Sequence, residues 1–199
     1  MATRQKIVAL AKKIAMSKKE FTEQDPEYYA LECVVSDEQT DVALNMKVRI
    51  PISPAKLSEK CGKSLEETTR ILEELLVIGV VEATRERGEL EYVLPIFVPG
   101  VMEFMVMNVK QVEKFPQIAR AFEQLSLKPM KGVTPMIPVG GGGLGMHVIP
   151  VEEAIPADTQ TASYEQLSYW LKKYDNFAVG DCSCRVTRRL MGEGCGHLE

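Results

Sequence analysis

The sequence predicts an α+β protein, mostly helical, and three observations carry the prediction. Apolar residues recur three and four apart through much of residues 7–76, the spacing that collects them on one side of a helix. Ser, Thr or Asp heads these runs, twice with proline directly after it (Asp25-Pro26 and Ser53-Pro54), a pairing that starts helices. Residues 80–94 instead hold β-forming residues on both sides of Arg85-Glu-Arg-Gly88, the pattern of a hairpin.

Taken in order, Thr3 can cap a first helix whose inner face is Ile7, Leu10, Ala11 and Ile14, with the basic tract around Lys12, Lys13, Lys18 and Lys19 read as solvated. Asp25-Pro26 opens a helix expected to reach about Met46, with Leu31, Val34, Val35, Val42 and Met46 inward. Ser53-Pro54 opens a short helix that Gly62 stops. Ser64-Leu-Glu-Glu67 is a capping box for the next, whose stripe is read as Leu65, Thr68, Leu72, Leu75 and Leu76, ending near Gly79. Val80–Thr84 and Glu89–Leu94 are the two arms of the hairpin.

A short helix, a turn, a longer helix and a hairpin together resemble a winged helix-turn-helix domain. That resemblance implies either DNA binding or protein docking. The longer helix carries Glu66, Glu67, Glu73 and Glu74 against a single Arg70, the wrong sign for a phosphate backbone, so docking is the expectation. Arg85 and Arg87 at the wing tip keep the DNA alternative open.

Eight prolines then break residues 95–156 into short pieces, with helices expected over Val101–Lys110 and Gln117–Leu127. The methionine-rich run around Met102, Met105 and Met107 reads as adaptable core or an inter-domain contact. Gly140-Gly-Gly-Gly-Leu-Gly145 lacks the lysine of a P-loop and reads as a loop; His147, without a paired acid, reads as a packed side chain in a short strand, Met146–Pro150. Ser163-Tyr-Glu-Gln166 caps a helix bearing Leu167, Trp170, Leu171 and Tyr174 on one face, and Phe177–Gly180 leads on in extended form. The expected organisation is a winged-helix-like domain over residues 1–98, an irregular Pro/Gly-rich connecting segment over 99–160, and a helix with a cysteine-containing segment over 161–199.

The 199 residues hold one good core, or a small domain with an appended segment, and the 45% hydrophobic and 26% charged content is that of a soluble globular chain. No run approaches a membrane span and the Met-Ala-Thr-Arg-Gln-Lys start lacks the apolar stretch of a signal peptide, so the expected location is the cytoplasm, away from membranes. A net charge of −4 and a pI near 5.4 argue against a nucleic-acid partner. In a reducing compartment clustered cysteines point to metal or redox chemistry, whereas Cys33 and Cys61, alone in helical patterns, read as packing residues.

The cluster is Cys182, Cys184 and Cys195, three of the five cysteines, separated by one residue and then by ten. Thiolates so spaced can converge on one centre, since Gly192-Glu193-Gly194 can bring the third back to the first two. Four readings compete. Zinc would take three thiolates and His197, although Cys-x-Cys is less usual than Cys-x-x-Cys there. An iron-sulfur cluster needs a fourth ligand, expected beyond Glu199 in a longer protein. A Cys182–Cys184 disulfide closes a strained ring, and free thiols are the plainest case. Arg185, Arg188 and Arg189 are candidate cofactor-binding residues, because cations offset the charge of a thiolate-bound cluster; a solvated helix face is the alternative.

The runs Gly140–Pro150, Trp170-Leu-Lys-Lys-Tyr174, Val179-Gly-Asp-Cys-Ser-Cys-Arg185 and Met191-Gly-Glu-Gly-Cys-Gly-His-Leu198 resemble the N-terminal region of large iron-sulfur flavoprotein oxidoreductases of anaerobic bacteria. The resemblance implies that Cys182, Cys184 and Cys195 are ligands of a 4Fe-4S cluster, and that FAD and NAD(P) belong to a C-terminal pyridine-nucleotide oxidoreductase part not present in this sequence. It implies as partners those C-terminal redox modules or a separate redox protein. The chain itself shows no nucleophile, acid–base pair or nucleotide site, so it is expected to be part of an oxidoreductase rather than a complete enzyme. A redox- or metal-responsive winged-helix transcription regulator and a zinc-stabilised interaction module are the alternatives.

Overall fold

The computed structural model describes residues 4–127, 129 and 167–194. They form a mostly helical protein with one small sheet. The chain divides into two compact units, one of residues 1–130 with 181–199 and the other of residues 131–180.

Helix α1 (Gln5–Ile14) buries Ile7, Leu10, Ala11 and Ile14 completely, the four residues its periodicity selects. Burying the two isoleucines and the leucine contributes roughly 5–8 kcal/mol in transfer free energy. Thr3 lies outside the described residues; Arg4 takes the N-cap position without a side-chain cap and acts instead as a clamp. Its guanidinium donates to the carbonyls of Glu32 (3.1 Å) and Val35 (2.9 Å) and pairs with Asp37, tying the start of α1 to the corner after α2 (Pro26–Glu32).

The helix expected from Asp25 to Met46 is two helices, α2 and α3 (Asp37–Asn45). The break is a complete capping box: Ser36 accepts from the Gln39 N–H, and the Gln39 side chain accepts from the Ser36 N–H. Each helix end thereby satisfies donors that a continuous helix would have used internally. Asp25 caps nothing with its carboxylate, which accepts from the Thr22 N–H (2.7 Å) and pairs with Lys19.

Helix α4 (Pro54–Cys61) starts and stops where its sequence says, with Ser53 accepting from the Lys56 N–H and Gly62 left-handed at φ 64°. Helix α5 (Leu65–Ile78) follows, with Ser64 accepting from the Glu67 N–H; the Glu67 carboxylate turns to Lys63 instead of completing the box. Its buried face is Thr68, Ile71, Leu72 and Leu75, while Leu65 and Leu76 are 53% and 39% exposed. The stripe expected from the leucines is therefore turned by part of a helical step: Ile71 shares the Leu75 row at i, i+4 and takes the inner position.

Strands β1 (Glu82–Thr84) and β2 (Glu91–Val93) pair antiparallel, Ala83 opposite Tyr92, around Gly88 at φ 88°. The segment before α4 joins this sheet, Ile52 exchanging both backbone hydrogen bonds with Tyr92 at 2.9 Å.

The domain boundary expected at residue 98 falls inside a continuous core. Phe97, Val101, Met102, Met105 and Val106 belong to the same buried cluster as Leu72 and Leu94, so the predicted connecting segment supplies one wall of the first unit. It does so through α6 (Met102–Met107), α7 (Val109–Lys114) and α8 (Gln117–Phe122), the last continuing as a wider turn over Glu123–Leu127. Asn108 breaks the expected Val101–Lys110 helix by accepting from the Gln111 N–H, which starts α7, while its amide donates to the Val77 carbonyl. Tyr29 on α2 donates to the Gln124 side chain at 3.0 Å, locking the two halves of this unit together.

In the second unit α9 (Leu167–Lys173) is the helix its apolar spacing predicts. Trp170 stacks on Tyr174 with ring centroids 6.1 Å apart, and the Lys173 ammonium lies 4.9 Å from the Trp170 ring. Residues 131–166, with Gly140–Gly145, His147 and the Ser163–Gln166 cap, are outside the described residues.

Candidate functional site

Helix α10 (Ser183–Leu190) carries the first two cysteines of the motif. Cys182 is its N-cap and Cys184 lies in its first turn; the Cys182 carbonyl accepts from the Val186 N–H at 2.9 Å. Val186 and Thr187 are fully buried where α10 packs on α6 and α8, so the helix is pinned by its inner side while both cysteines remain exposed. The local cause is composition: in Ser-Cys-Arg-Val-Thr-Arg-Arg-Leu only Val186, Thr187 and Leu190 suit an apolar seat.

Two opposing influences act on the Cys184 sulfur. A helix N-terminus favours thiolates through its unpaired N–H groups. Desolvation nonetheless pushes the Cys184 thiol above its ordinary range, and the negative charges of Cys182 and Glu103 push it further. Glu103 comes from α6, where its carboxylate also accepts from the Gly100 N–H at 2.7 Å. A thiophilic cation that binds such a thiol replaces its proton. Both thiols are exposed at one helix start, a presentation that fits thiolate ligation of a metal or an iron-sulfur cluster. The third expected donor, Cys195, and His197 lie outside the described residues. Among the described residues no group of three or more His, Cys, Asp or Glu side chains is placed to hold a metal ion.

The arginines expected to face a cofactor are engaged with the protein. Arg188 donates to both carboxylate oxygens of Glu123 at 3.3 Å and pairs with Glu193, and Arg189 lies 3.7 Å from Glu113. Glu123 is itself buried, so the Arg188 pair ties α10 to the turn after α8. Arg185, in the first turn of the helix, is exposed. Glu103, Glu113 and Glu123, distant acids that the cysteine helix meets, escaped the sequence reading because sixty-five or more positions separate them from their partners in the chain. The only local signal was Gly100-x-x-Glu103, a turn with a capping acid.

Cys33 and Cys61 pack as expected, partly buried against the core. The Cys33 thiol donates to the Ala30 carbonyl and is pushed up to about 12, chiefly by burial. At pH 8 only about one molecule in 10⁴ then carries that thiolate. Treatment of the folded protein with an alkylating reagent at pH 8 is expected to label exposed Cys182 and leave Cys33 intact, with Cys33 reacting after addition of denaturant. Peptide mass mapping reads the order, and early labelling of Cys33 would contradict its burial.

No family model matches the sequence, and no curated protein or solved structure matches it either.

Proposed function

We propose that the chain is the N-terminal part of an iron-sulfur electron-transfer oxidoreductase, in which Cys182, Cys184 and Cys195 contribute ligands to a 4Fe-4S cluster. The observation that carries this reading is the presentation of Cys182 and Cys184: both sulfurs are exposed at the start of a helix anchored by Val186 and by the Arg188–Glu123 pair. Structural cysteines sit in the core, as Cys33 does; these two are held out of it. A bound cluster would supply one-electron transfer. The fourth ligand would come from outside the motif, FAD and NAD(P) would be held by other modules, and the setting would be a reducing cytoplasm.

Helices α4 and α5 with the β1–β2 hairpin, joined by Ile52 as a third strand position, support the reading of a winged-helix-like docking element within the first unit. Docking is favoured over DNA binding by charge. On α5 Arg70 is paired with both Glu74 and Glu38, and Lys63 at its start with Glu38 and Glu67, so cations that might have met phosphates are already neutralised.

Anaerobic reconstitution with ferrous iron and sulfide tests the proposal. The expected product is brown, with broad visible absorption and acid-labile sulfide, both lost in Cys182→Ser and Cys184→Ser. A colourless protein holding stoichiometric zinc would overturn the cluster and leave a zinc-stabilised module.

A further inference from the structure

Four surface lysines of the first unit are neutralised where they stand. Lys6 pairs with Asp41, Lys12 with Glu20, Lys19 with Asp25, and Lys63 with two glutamates. Three others are gathered in one place. Lys47, Lys56 and Lys60 line a common groove of about 330 Å³ between α4 and the segment that precedes it. Among the described residues none of the three forms an ion pair.

Sequence and fold make this groove together. Lys56 and Lys60 are four apart on the exposed side of α4, whose opposite side buries Leu57 and Ser58, so both ammonium groups stand on one helical row. Lys47 arrives from the end of α3, and Ile50, Pro51 and Ile52 form an apolar wall, held by the pairing of Ile52 with Tyr92. Ile50 is 53% exposed, an isoleucine left in water beside a row of cations. A further cation stands close: the charge of Lys60, after burial, depresses the Lys13 ammonium. Gathering these cations within one groove of a chain whose net charge is −4 costs self-repulsion that an anion removes.

We propose that this groove binds a small phosphate-bearing molecule, its phosphates on Lys47, Lys56 and Lys60 and its organic part against Ile50 and Pro51. The volume is at the lower end of small-molecule sites and far below what a nucleic-acid duplex occupies. Lysines suit phosphate as mobile point charges, and an apolar wall beside them suits a sugar, base or alkyl portion. Glu59 also lines the groove and opposes an anion, which gives the site its own diagnostic: removing that charge should tighten binding. The site is separate from the cysteine motif and stands whether or not a cluster is bound.

Calorimetric or NMR titration of the chain at low salt with sodium pyrophosphate, ATP and poly-L-glutamate tests the assignment. Saturable binding of ATP is expected, weakened at least tenfold in Lys56→Gln/Lys60→Gln, weakened also in Lys47→Gln, tightened a few-fold in Glu59→Gln and unchanged in Lys63→Gln. Equal binding of pyrophosphate and ATP would assign the recognition to phosphate alone, and tighter ATP would add the apolar wall; either supports the site. Absence of saturable binding of both phosphates overturns it, as does binding indifferent to all three groove lysines. Binding of poly-L-glutamate without ATP also overturns it, in favour of an acidic protein surface. Circular dichroism confirms that each substituted chain is folded.

Discussion

Gly79→Ala is expected to destabilise the first unit by about 3–5 kcal/mol, the largest effect of an added methyl group at any of the described glycines. Gly79 ends α5 at φ 91°, where an L side chain is strained, and a Cβ there would lie 2.6 Å from both the Met105 nitrogen and the Phe104 carbonyl carbon. Both obstacles are backbone of α6, so no rotamer change relieves the clash; the helix itself would have to withdraw from a core in which Met102 and Met105 are fully buried. Gly62→Ala is the internal control. Gly62 has φ 64° but no atom within 4 Å of the added carbon, so it should cost only about 1 kcal/mol, the conformational part alone. Urea unfolding of the two variants separates the contributions. Equal losses would mean that α6 does not approach α5 as closely as described.

Arg188→Gln should remove roughly 2–3 kcal/mol, less than a fully buried pair would lose because Arg188 is 27% exposed while Glu123 is only 8% exposed. The loss comes from leaving a buried carboxylate without its guanidinium, not from the net value of the pair. Arg188→Leu with Glu123→Leu should therefore recover most of the stability, since neither charge then remains buried. Hydrogen exchange at Val186 and Thr187 locates the effect: protection should fall in Arg188→Gln and return in the double variant. Unchanged stability in Arg188→Gln would place the guanidinium's role elsewhere, with a bound cofactor.

The helices were legible in the sequence wherever capping and periodicity agreed. Ile7, Leu10, Ala11 and Ile14 are both the predicted and the buried face of α1, and Ser53-Pro54 with Gly62 delimits α4. Local signals failed where two of them competed. The apolar spacing from Leu31 to Met46 runs straight through the Ser36–Gln39 capping box, and the cap prevails because it satisfies two backbone N–H groups reciprocally. The α5 stripe was misread because leucines were counted as inward without asking what faces them. Leu76 and the 70% exposed Val77 lie instead with Phe104 and Met107 along a groove beside α6, a neighbour that no local pattern announces.

The candidate site was half legible. The Cys-x-Cys pair could be read from spacing alone, whereas the attachment of the helix that carries it depends on the seating of Val186 and on Glu123, chosen by tertiary packing. The arginines illustrate the same limit. Composition shows three cations around the thiols, and only geometry shows that Arg188 and Arg189 meet Glu123, Glu193 and Glu113.

The chain leaves the first unit near residue 130 and returns to it at residue 181, bringing Val186 into the core. A ribosome must therefore release some fifty residues of unrelated sequence before the last apolar surface of the first unit can be covered. Until then the sides of α6 and α8 that receive α10 stand open to water and to chaperones. The segment that covers this surface also delivers the cysteine pair, so the two thiols take their places only once α10 has docked.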